Sequence, residues 1–463
     1  MNADAIEIVR SHWQASRESI VRYFDLLWEQ PELPNMEYIA AQQLGDWLQA
    51  GGFEVERAAC GIPTAFIARW RNRSGPCVGI LVEYDALPGT DNDRVPFRKP
   101  IGNPAGHACG HNQIGPANVG AALAARESML SLDISGELVV LGCPAEEIVW
   151  GKIALLKLGG FDGIDAILTS HGDYQNGAIS RPCQSVIGGE FVFYGESGHG
   201  GKVQKRNALD AAELAVQSIE RLRAHHFADT GVEHVLRIGG HIPNVTPDEA
   251  RLWISTRHED FQQACDVYDF VKDVCDQAAT MTKTTFQHQF ISGTRGYLPN
   301  DTMAEVLYSN FEVVGPPKWS ESDISWMQQL VQGSKSNSEM TLDRELGLYK
   351  EGVDPFGQDD GEASWRIPLA RANWAIPLEV PFHNWTCTAL SGHPASHAGP
   401  LAVSEALALT ALDLFSNPSL VDEAKEELNR RRNNHTIDAP MLGAFETMTT
   451  DPKSFWDGSW RES

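Results

Sequence analysis

The chain lacks long apolar runs. The longest ones in its 463 residues are far shorter than the roughly 20 residues that a membrane-spanning helix needs. The N-terminal segment, residues 1–13, is charged and amphipathic and has no apolar core of the kind found in signal peptides. We therefore expect no membrane span and a cytoplasmic location.

Basic residues are also scarce. Lys and Arg total 37 against 62 Asp and Glu, which gives a net charge of −25. A chain this acidic is repelled by nucleic-acid phosphates and by anionic lipid. We therefore expect neither nucleic acid nor a membrane as a partner.

The cysteines lack the spacing of a disulfide framework or of a paired Cys-x-x-Cys site. There are eight of them, at positions 60, 77, 109, 143, 183, 265, 275 and 387. In a long chain with no export signal, scattered cysteines are typical of reduced thiols.

Hydrophobic periodicity predicts an α/β fold. Helical patterns at residues 4–29 and 36–50 are followed, up to residue 169, by apolar strands that alternate with helices. This alternation predicts a mostly parallel sheet with helices on both faces. Residues 188–290 follow the order βαββαβ, which is the ferredoxin-like arrangement. We therefore place an inserted domain at residues 187–292, between two parts of a main domain at residues 1–186 and 293–463.

Polar side chains follow several of the predicted parallel strands. Asp85 follows one strand, Glu146 and Glu147 follow the next, and His171 follows a third. Ligands of such sheets bind at the carboxyl ends of the strands, so we expect these side chains to meet. Cys109-Gly110-His111, just before an Ala-rich helix, belongs to the same part of the predicted fold.

These residue types suit a divalent metal. Thiolate, imidazole and carboxylate groups together favour zinc, manganese, cobalt or nickel. Of two adjacent glutamates in a loop, one can bind the metal while the other takes a proton from the attacking water. The alternative is that Glu146 and Glu147 only cap the following helix, where acidic residues are favoured.

Four motifs carry a resemblance to a known family. They are Glu83-Tyr84-Asp85-Ala86-Leu87-Pro88-Gly89, Gly106-His107-Ala108-Cys109-Gly110-His111-Asn112, Pro144-Ala145-Glu146-Glu147 and His171-Gly172-Asp173. In this order they resemble the aminoacylase/carboxypeptidase family of metal-dependent amidohydrolases. The resemblance is to its branch of indole-3-acetyl-amino-acid, hippurate and aminobenzoyl-glutamate hydrolases. It implies a zinc-peptidase-like catalytic domain, one or two Mn, Zn or Co ions per subunit, and a lid domain through which a homodimer forms. An assembly larger than a dimer is left open.

The resemblance also implies roles for individual residues. It implies that the metal ligands are Cys109, His111, Glu147, His171 and His383. It makes Glu146 the general base and proton donor, and Asp85 the acid that orients a ligand histidine. His383 departs from the usual motif of the family, and His397 is the rival candidate for the last ligand.

The lid contributes three further candidates by the same resemblance. His199 matches a histidine that reaches the active site of the partner subunit, where it would stabilise an oxyanion. Asn244 and Arg257 match residues that contact the carboxylate or carbonyl of the substrate, and a guanidinium grips a carboxylate through two hydrogen bonds.

The predicted activity is hydrolysis of the amide of an N-acyl amino acid, with an aromatic acyl group favoured. Two alternatives remain open from the sequence. One is hydrolytic removal of an amino group from an aromatic acid with release of ammonia. The other is a metal-binding sensor or accessory protein without turnover.

Overall fold

The computed structural model describes residues 2–202, 206–334, 338–434 and 436–458. The chain divides into two compact units. Unit 1 comprises Met1–Arg181, Leu298–Gly352 and Ala363–Asp438, and unit 2 comprises Pro182–Tyr297, Val353–Glu362 and Ala439–Ser463. Unit 2 thus contains the expected inserted domain together with two later segments that the sequence-based boundaries placed in the main domain.

The first part of unit 1 contains four helices and eight strands. The helices are α1 (Ala3–Glu29), α2 (Tyr38–Ala50), α3 (His111–Ser131) and α4 (Gly151–Lys157). The strands are β1 (Glu54–Arg57), β2 (Phe66–Asn72), β3 (Cys77–Val82), β4 (Leu87–Pro88), β5 (Ala105–Gly106), β6 (Gly136–Gly142), β7 (Ala166–Asp173) and β8 (Asn176–Ile179).

Residues 182–297 form most of unit 2. The later residues belong mainly to unit 1, except for residues 353–362 and 439–463, which belong to unit 2. The middle elements are β9 (Ser185–Tyr194), β10 (Gly198–His199), α5 (Ala208–His226), β11 (Gly231–Ile238), β12 (Val245–Thr246), β13 (Glu249–His258), α6 (Phe261–Thr282) and β14 (Thr285–Thr294). The later elements are α7 (Asp301–Val314), α8 (Glu321–Gly333), β15 (Leu346–Tyr349), α9 (Asp360–Ser364), β16 (Leu369–Ala375), α10 (Trp385–Ser391), α11 (Ala398–Ser416), α12 (Ser419–Arg431), β17 (Met441–Leu442), α13 (Phe445–Thr450) and α14 (Pro452–Asp457).

An eight-stranded sheet in the order β1-β2-β6-β3-β7-β16-β8-β15 forms the centre of unit 1. Its four central strands β6, β3, β7 and β16 run parallel to one another. Every residue of β3, β7 and β16 is buried, as expected for parallel strands covered by helices on both faces. The predicted α/β fold is confirmed.

Helix α3 packs tightly against the carboxyl end of β3. A Cβ atom at Gly115 would lie 2.7 Å from the carbonyl oxygen of Glu83, so only glycine permits this approach. One turn further on, Asn118 donates a hydrogen bond to the Leu81 carbonyl of β3 at 2.7 Å. Its side-chain oxygen accepts from Ser170 of β7 at 2.7 Å. The start of α3 is thereby fixed beside the ends of both strands.

Unit 2 has the predicted ferredoxin-like arrangement. Its antiparallel sheet has the order β11-β13-β9-β14-β17, with α5 and α6 supplying much of the unit's buried core. Strands β9, β11, β13 and β14 with α5 and α6 reproduce the order βαββαβ. The fifth strand, β17, comes from the C-terminal segment and pairs with β14.

One helical segment, Pro394–Ser416, is long and apolar enough to cross a membrane by length and composition alone. Of its apolar window, 83% is buried inside the structure. It packs against α3 and α7, which is the usual position of a core helix in a layered fold.

Candidate functional site

The candidate site lies at the carboxyl ends of four neighbouring parallel strands of unit 1. Asp85 follows β3, Glu146 and Glu147 follow β6, and His171 lies near the end of β7. His383 follows β16, the next strand of the sheet. The structure therefore brings together the strand-end residues that the sequence indicated, and Cys109 and His111 join them from the start of α3.

Glu146 and Glu147 lie in a strained turn. They begin a short 3₁₀ turn (Glu146–Ile148) flanked by Ala145 and Val149, whose φ angles are 58° and 55°. Non-glycine residues rarely adopt this left-handed conformation, and such strain often marks functional sites. The turn directs both carboxylates into the site, where Glu146 is 5% exposed.

Glu37, a residue that the sequence did not single out, holds this turn. Its Oε1 accepts hydrogen bonds of 2.8 Å from the backbone N–H groups of Ala145 and Asn35. Burial, followed by the charge of Asp85, raises the pKa of Glu37 well above its ordinary value. Burial therefore favours the neutral form of the Glu37 side chain, whose Oε1 acts as a buried hydrogen-bond acceptor.

We predict that Glu37→Gln is tolerated and that Glu37→Ala is not. Glutamine keeps the carbonyl acceptor, whereas alanine leaves two buried N–H groups unpaired, at a cost of about 1–3 kcal/mol for each lost partner. Urea unfolding and kcat measured on both variants check this prediction. Equal stability and equal kcat of Glu37→Ala and the wild type would contradict it.

Asp85 contacts both His111 and Glu147. Its Oδ1 accepts a hydrogen bond of 2.9 Å from Nδ1 of His111, and its Oδ2 accepts one of 2.9 Å from the backbone N–H of Glu147. With Nδ1 bound to Asp85, the other ring nitrogen of His111, Nε2, faces the site. This geometry is the one expected if Asp85 orients a ligand histidine, which is the role that the resemblance implies.

The remaining candidate ligands surround the same space. Sγ of Cys109 lies 3.5 Å from Nε2 of His171, and Nε2 of His383 lies 3.2 Å from Oε2 of Glu147. Within the described residues, the five candidate ligands form two sets of three side chains whose ligand atoms are close enough to share an ion: Cys109, His111 and His171, and Cys109, Glu147 and His383. Cys109 belongs to both sets, which is the arrangement expected of a group between two ion positions.

The charges of the site fit a divalent cation. Within the part of the chain that the structure describes, Nε2 of His111 and Oε1 of Glu147 are buried without a hydrogen-bond partner. Buried polar atoms of this kind normally have a partner, and a cation would supply one. Despite burial, which acts in the opposite direction, His383 and His111 lower the pKa of Glu147 to about 2. Glu147 is therefore an anion, as a metal ligand must be.

His383 rather than His397 lies at the site. His383 has a φ of 59°, and its backbone N–H donates to the Ala108 carbonyl at 2.9 Å, next to Cys109. His397 instead packs edge-on against Phe24 at a ring distance of 5.3 Å, and burial lowers the pKa of His397 to about 4. The geometry favours His383 as the last ligand.

Aromatic rings lie beside the ligands. Phe382 has its ring centre 6.0 Å from that of His171 and 5.5 Å from that of Tyr174. Both Phe382 and Tyr174 are half-buried. Neither residue belongs to one of the recognised motifs, so sequence reasoning did not identify this small aromatic surface.

The three lid candidates lie in unit 2. His199 and Asn244 are adjacent, because β10 pairs with β12 and Gly200 donates to the Asn244 carbonyl at 2.8 Å. The backbone N–H of Gly201 donates to Nδ1 of His199 at 3.0 Å, so Nε2 carries the proton and can donate.

Arg257 lies on a different strand from this pair. It is near the end of β13, eight residues from Glu249, and its Nε donates to Glu233 at 2.9 Å. At about 3.3 Å per residue, Arg257 is roughly 25 Å along the strand from Glu249.

Comparison with known proteins is consistent with this architecture. Residues 184–282 match the M20 peptidase dimerisation domain. The chain is 28% identical to one of the subunits of the p-aminobenzoyl-glutamate hydrolase of Escherichia coli K12 over 446 residues, which cover 89% of this chain and 92% of that protein. It is also 28% identical to the Xaa-Arg dipeptidase of Mus musculus, over 87% of this chain and 86% of that protein.

A solved structure shows the same fold. A dinuclear metal-binding peptidase of the M20 family from Bacillus subtilis superposes with a TM-score of 0.56 and 17% identity, over 87% of this chain and 99% of that one. Residues 184–282 thus resemble the dimerisation domain of M20 peptidases, and the two relatives that match most of the chain are named as hydrolases of amide bonds.

Proposed function

We propose that this protein hydrolyses the amide bond between an acyl group, preferably aromatic, and an amino acid. The observation that carries the proposal is the convergence of Glu146 with the five candidate ligands Cys109, His111, Glu147, His171 and His383, of which His383 is exposed. A base and a ligand set at one point are what hydrolysis needs, whereas a sensor or accessory protein needs only the ligands.

The two adjacent glutamates have separate tasks. When bound by these ligands, a divalent metal lowers the pKa of water and polarises a carbonyl group. Glu147 remains anionic as a ligand because of the neighbouring histidines. Glu146 accepts the proton of the attacking water and then donates it to the leaving amine, which departs as the free amino acid.

The lid would complete the site in a homodimer. Strand β11 is at the edge of the sheet of unit 2, and Val235 and Leu236 on it are 52% and 43% exposed. An exposed apolar edge strand favours pairing with a second chain. The N–H at Nε2 of His199 would then stabilise the oxyanion of the tetrahedral intermediate in the partner subunit.

The substrate contacts follow from the same arrangement. Asn244 is adjacent to His199 and would act with it in the partner's site, whereas Arg257 would contact a substrate carboxylate in its own subunit. This division is supported by the position of Arg257 near the end of β13, whereas Asn244 precedes the start of that strand. The cytoplasmic location expected from the sequence stays a prediction.

An aromatic acyl group fits the residues around the ligands. Phe382 and Tyr174 present half-buried rings beside His171, and aromatic side chains favour offset or edge-on contacts with another ring. One similar protein is named as part of a p-aminobenzoyl-glutamate hydrolase, and another as a dipeptidase. Both names describe cleavage that releases an amino acid.

Metal removal and reconstitution test the proposal. We expect chelator-treated protein to lose hydrolysis of p-aminobenzoyl-glutamate and of N-acyl amino acids, and to regain it with Mn²⁺, Zn²⁺ or Co²⁺. Magnesium serves as the control ion, because it binds thiolate and imidazole ligands poorly. Full activity of a metal-free preparation would refute the proposed mechanism.

A further inference from the structure

The site contains one ion pair to which neither the sequence motifs nor the ligand set assigns a role. Lys152 of α4 is 0% exposed, and its Nζ lies 2.7 Å from Oε1 of Glu83, which is 2% exposed. Burying two charges costs desolvation free energy, which is repaid only when the two groups are well paired and their remaining polar atoms also have partners. Glu83 directly follows β3 and faces the site, and Lys152 occupies only the first of its two carboxylate oxygens.

The second carboxylate oxygen faces His111. Oε2 of Glu83 lies 3.6 Å from Nε2 of His111, and both atoms are buried without a hydrogen-bond partner in the described residues. That distance is too long for a hydrogen bond. Buried polar atoms normally have a partner, and one cation between the two atoms would satisfy both.

The spacing suits ligands of a shared ion. Nitrogen and oxygen ligands lie about 2.1 Å from Zn²⁺ or Mn²⁺, so two ligands of one ion are at most about 4.2 Å apart. Glu83, His111 and Glu146 form a further set whose ligand atoms all lie within 4.8 Å of one another. Glu83 thus occupies a ligand position on the side of His111 away from Asp85.

We propose that Glu83 is a further metal ligand, which binds through Oε2 to the same ion as Nε2 of His111, while Lys152 is a positioning residue that holds Oε1. The proposal rests on the metal centre of the proposed function. The carboxylate of Glu83 would make the ligand set of this ion harder than Cys109, His111 and His171 alone. Harder ligand sets favour Mn²⁺ relative to Zn²⁺.

The rival explanation is that Glu83 is only the counter-ion of Lys152. The double variant Glu83→Gln/Lys152→Met separates the two roles, because it removes both charges and leaves neither one buried alone. Glu190→Gln is the matched control, because Glu190 is 0% exposed and pairs with Arg237 and Arg251 in unit 2. It removes a buried, ion-paired carboxylate that belongs to unit 2 and is not one of the candidate ligands.

The experiment measures bound Mn²⁺ and Zn²⁺ per subunit by mass spectrometry, their Kd values by chelator competition, and thermal unfolding. We expect Glu83→Gln and the double variant to bind Mn²⁺ at least about tenfold more weakly at one position. The double variant should recover thermal stability without recovering Mn²⁺ affinity, and Glu190→Gln should keep wild-type affinity.

Two results would overturn the inference, and they can be told apart. If the double variant binds Mn²⁺ as tightly as the wild type, Glu83 is only a counter-ion and the proposed function is untouched. If the wild-type protein itself binds no divalent ion, the metal centre fails and the inference about Glu83 fails with it.

Discussion

Replacing Glu146 with glutamine should lower kcat by about 10²- to 10⁴-fold, the usual contribution of a positioned general acid–base. Glutamine has nearly the shape of glutamate but cannot accept the proton of the attacking water or return it to the leaving amine. Because Glu146 is the proposed base and not one of the proposed ligands, the variant should keep its metal content and its substrate KM. Steady-state kinetics together with metal analysis measure both effects.

Glu147→Gln is the matched control for this prediction. It makes the same replacement of a carboxylate by an amide at the neighbouring residue. Glu147, however, is the anionic group that lies 3.2 Å from His383. We therefore expect Glu147→Gln to lose metal affinity as well as activity. A wild-type kcat in Glu146→Gln would contradict the assignment of separate tasks to the two glutamates. Loss of metal from Glu146→Gln to the same extent as from Glu147→Gln would contradict it as well.

Mixed dimers of two inactive variants should regain activity if His199 acts in the partner's site. His199→Ala lacks the oxyanion donor and Glu146→Gln lacks the base, so each homodimer has two defective sites. In a mixed dimer one site combines an intact Glu146 with the intact His199 of the other chain. Random exchange makes half of the dimers mixed, with one working site in two, so about a quarter of wild-type activity should return.

The control is a mixture of Glu146→Gln with Glu147→Gln. Both residues belong to the same unit of the same chain, so each site of their mixed dimers retains one defect and no activity should return. Native mass spectrometry establishes that subunits have exchanged. Exchange without recovery in the His199→Ala mixture would show that His199 does not act across the dimer.

The strand-end part of the site could be predicted from the sequence. Apolar strands that alternate with helices place Asp85, Glu146 and His171 at one edge of a parallel sheet, and the structure places them there. The ferredoxin-like order of unit 2 was equally readable, because its strands and helices have clear periodicity.

Other parts depend on contacts between distant segments. Strand β16 places His383 beside the other ligands, yet its sequence, LARANWA, contains arginine and asparagine and does not resemble a buried strand. Glu37 acts on Ala145 across 108 positions of the chain, and Lys152 acts on Glu83 from another element. A single sequence carries no local pattern for such pairs, because each partner alone is an ordinary residue and the two are far apart or on different elements.

The C-terminal segment shows the same limit. It has little periodicity of its own, yet β17 pairs with β14 and Phe455 packs on Trp253 at a ring distance of 5.1 Å. Tertiary packing, and not local propensity, decides its structure.

The most direct measurement is the identification of the products released by metal-loaded protein from p-aminobenzoyl-glutamate, N-acyl amino acids and aminobenzoates. Glu146→Gln serves as the blank. Amide hydrolysis predicts equal amounts of free amino acid and carboxylic acid, formed by the wild type alone. Release of ammonia without amino acid would contradict amide hydrolysis and indicate hydrolytic deamination of an aromatic acid instead.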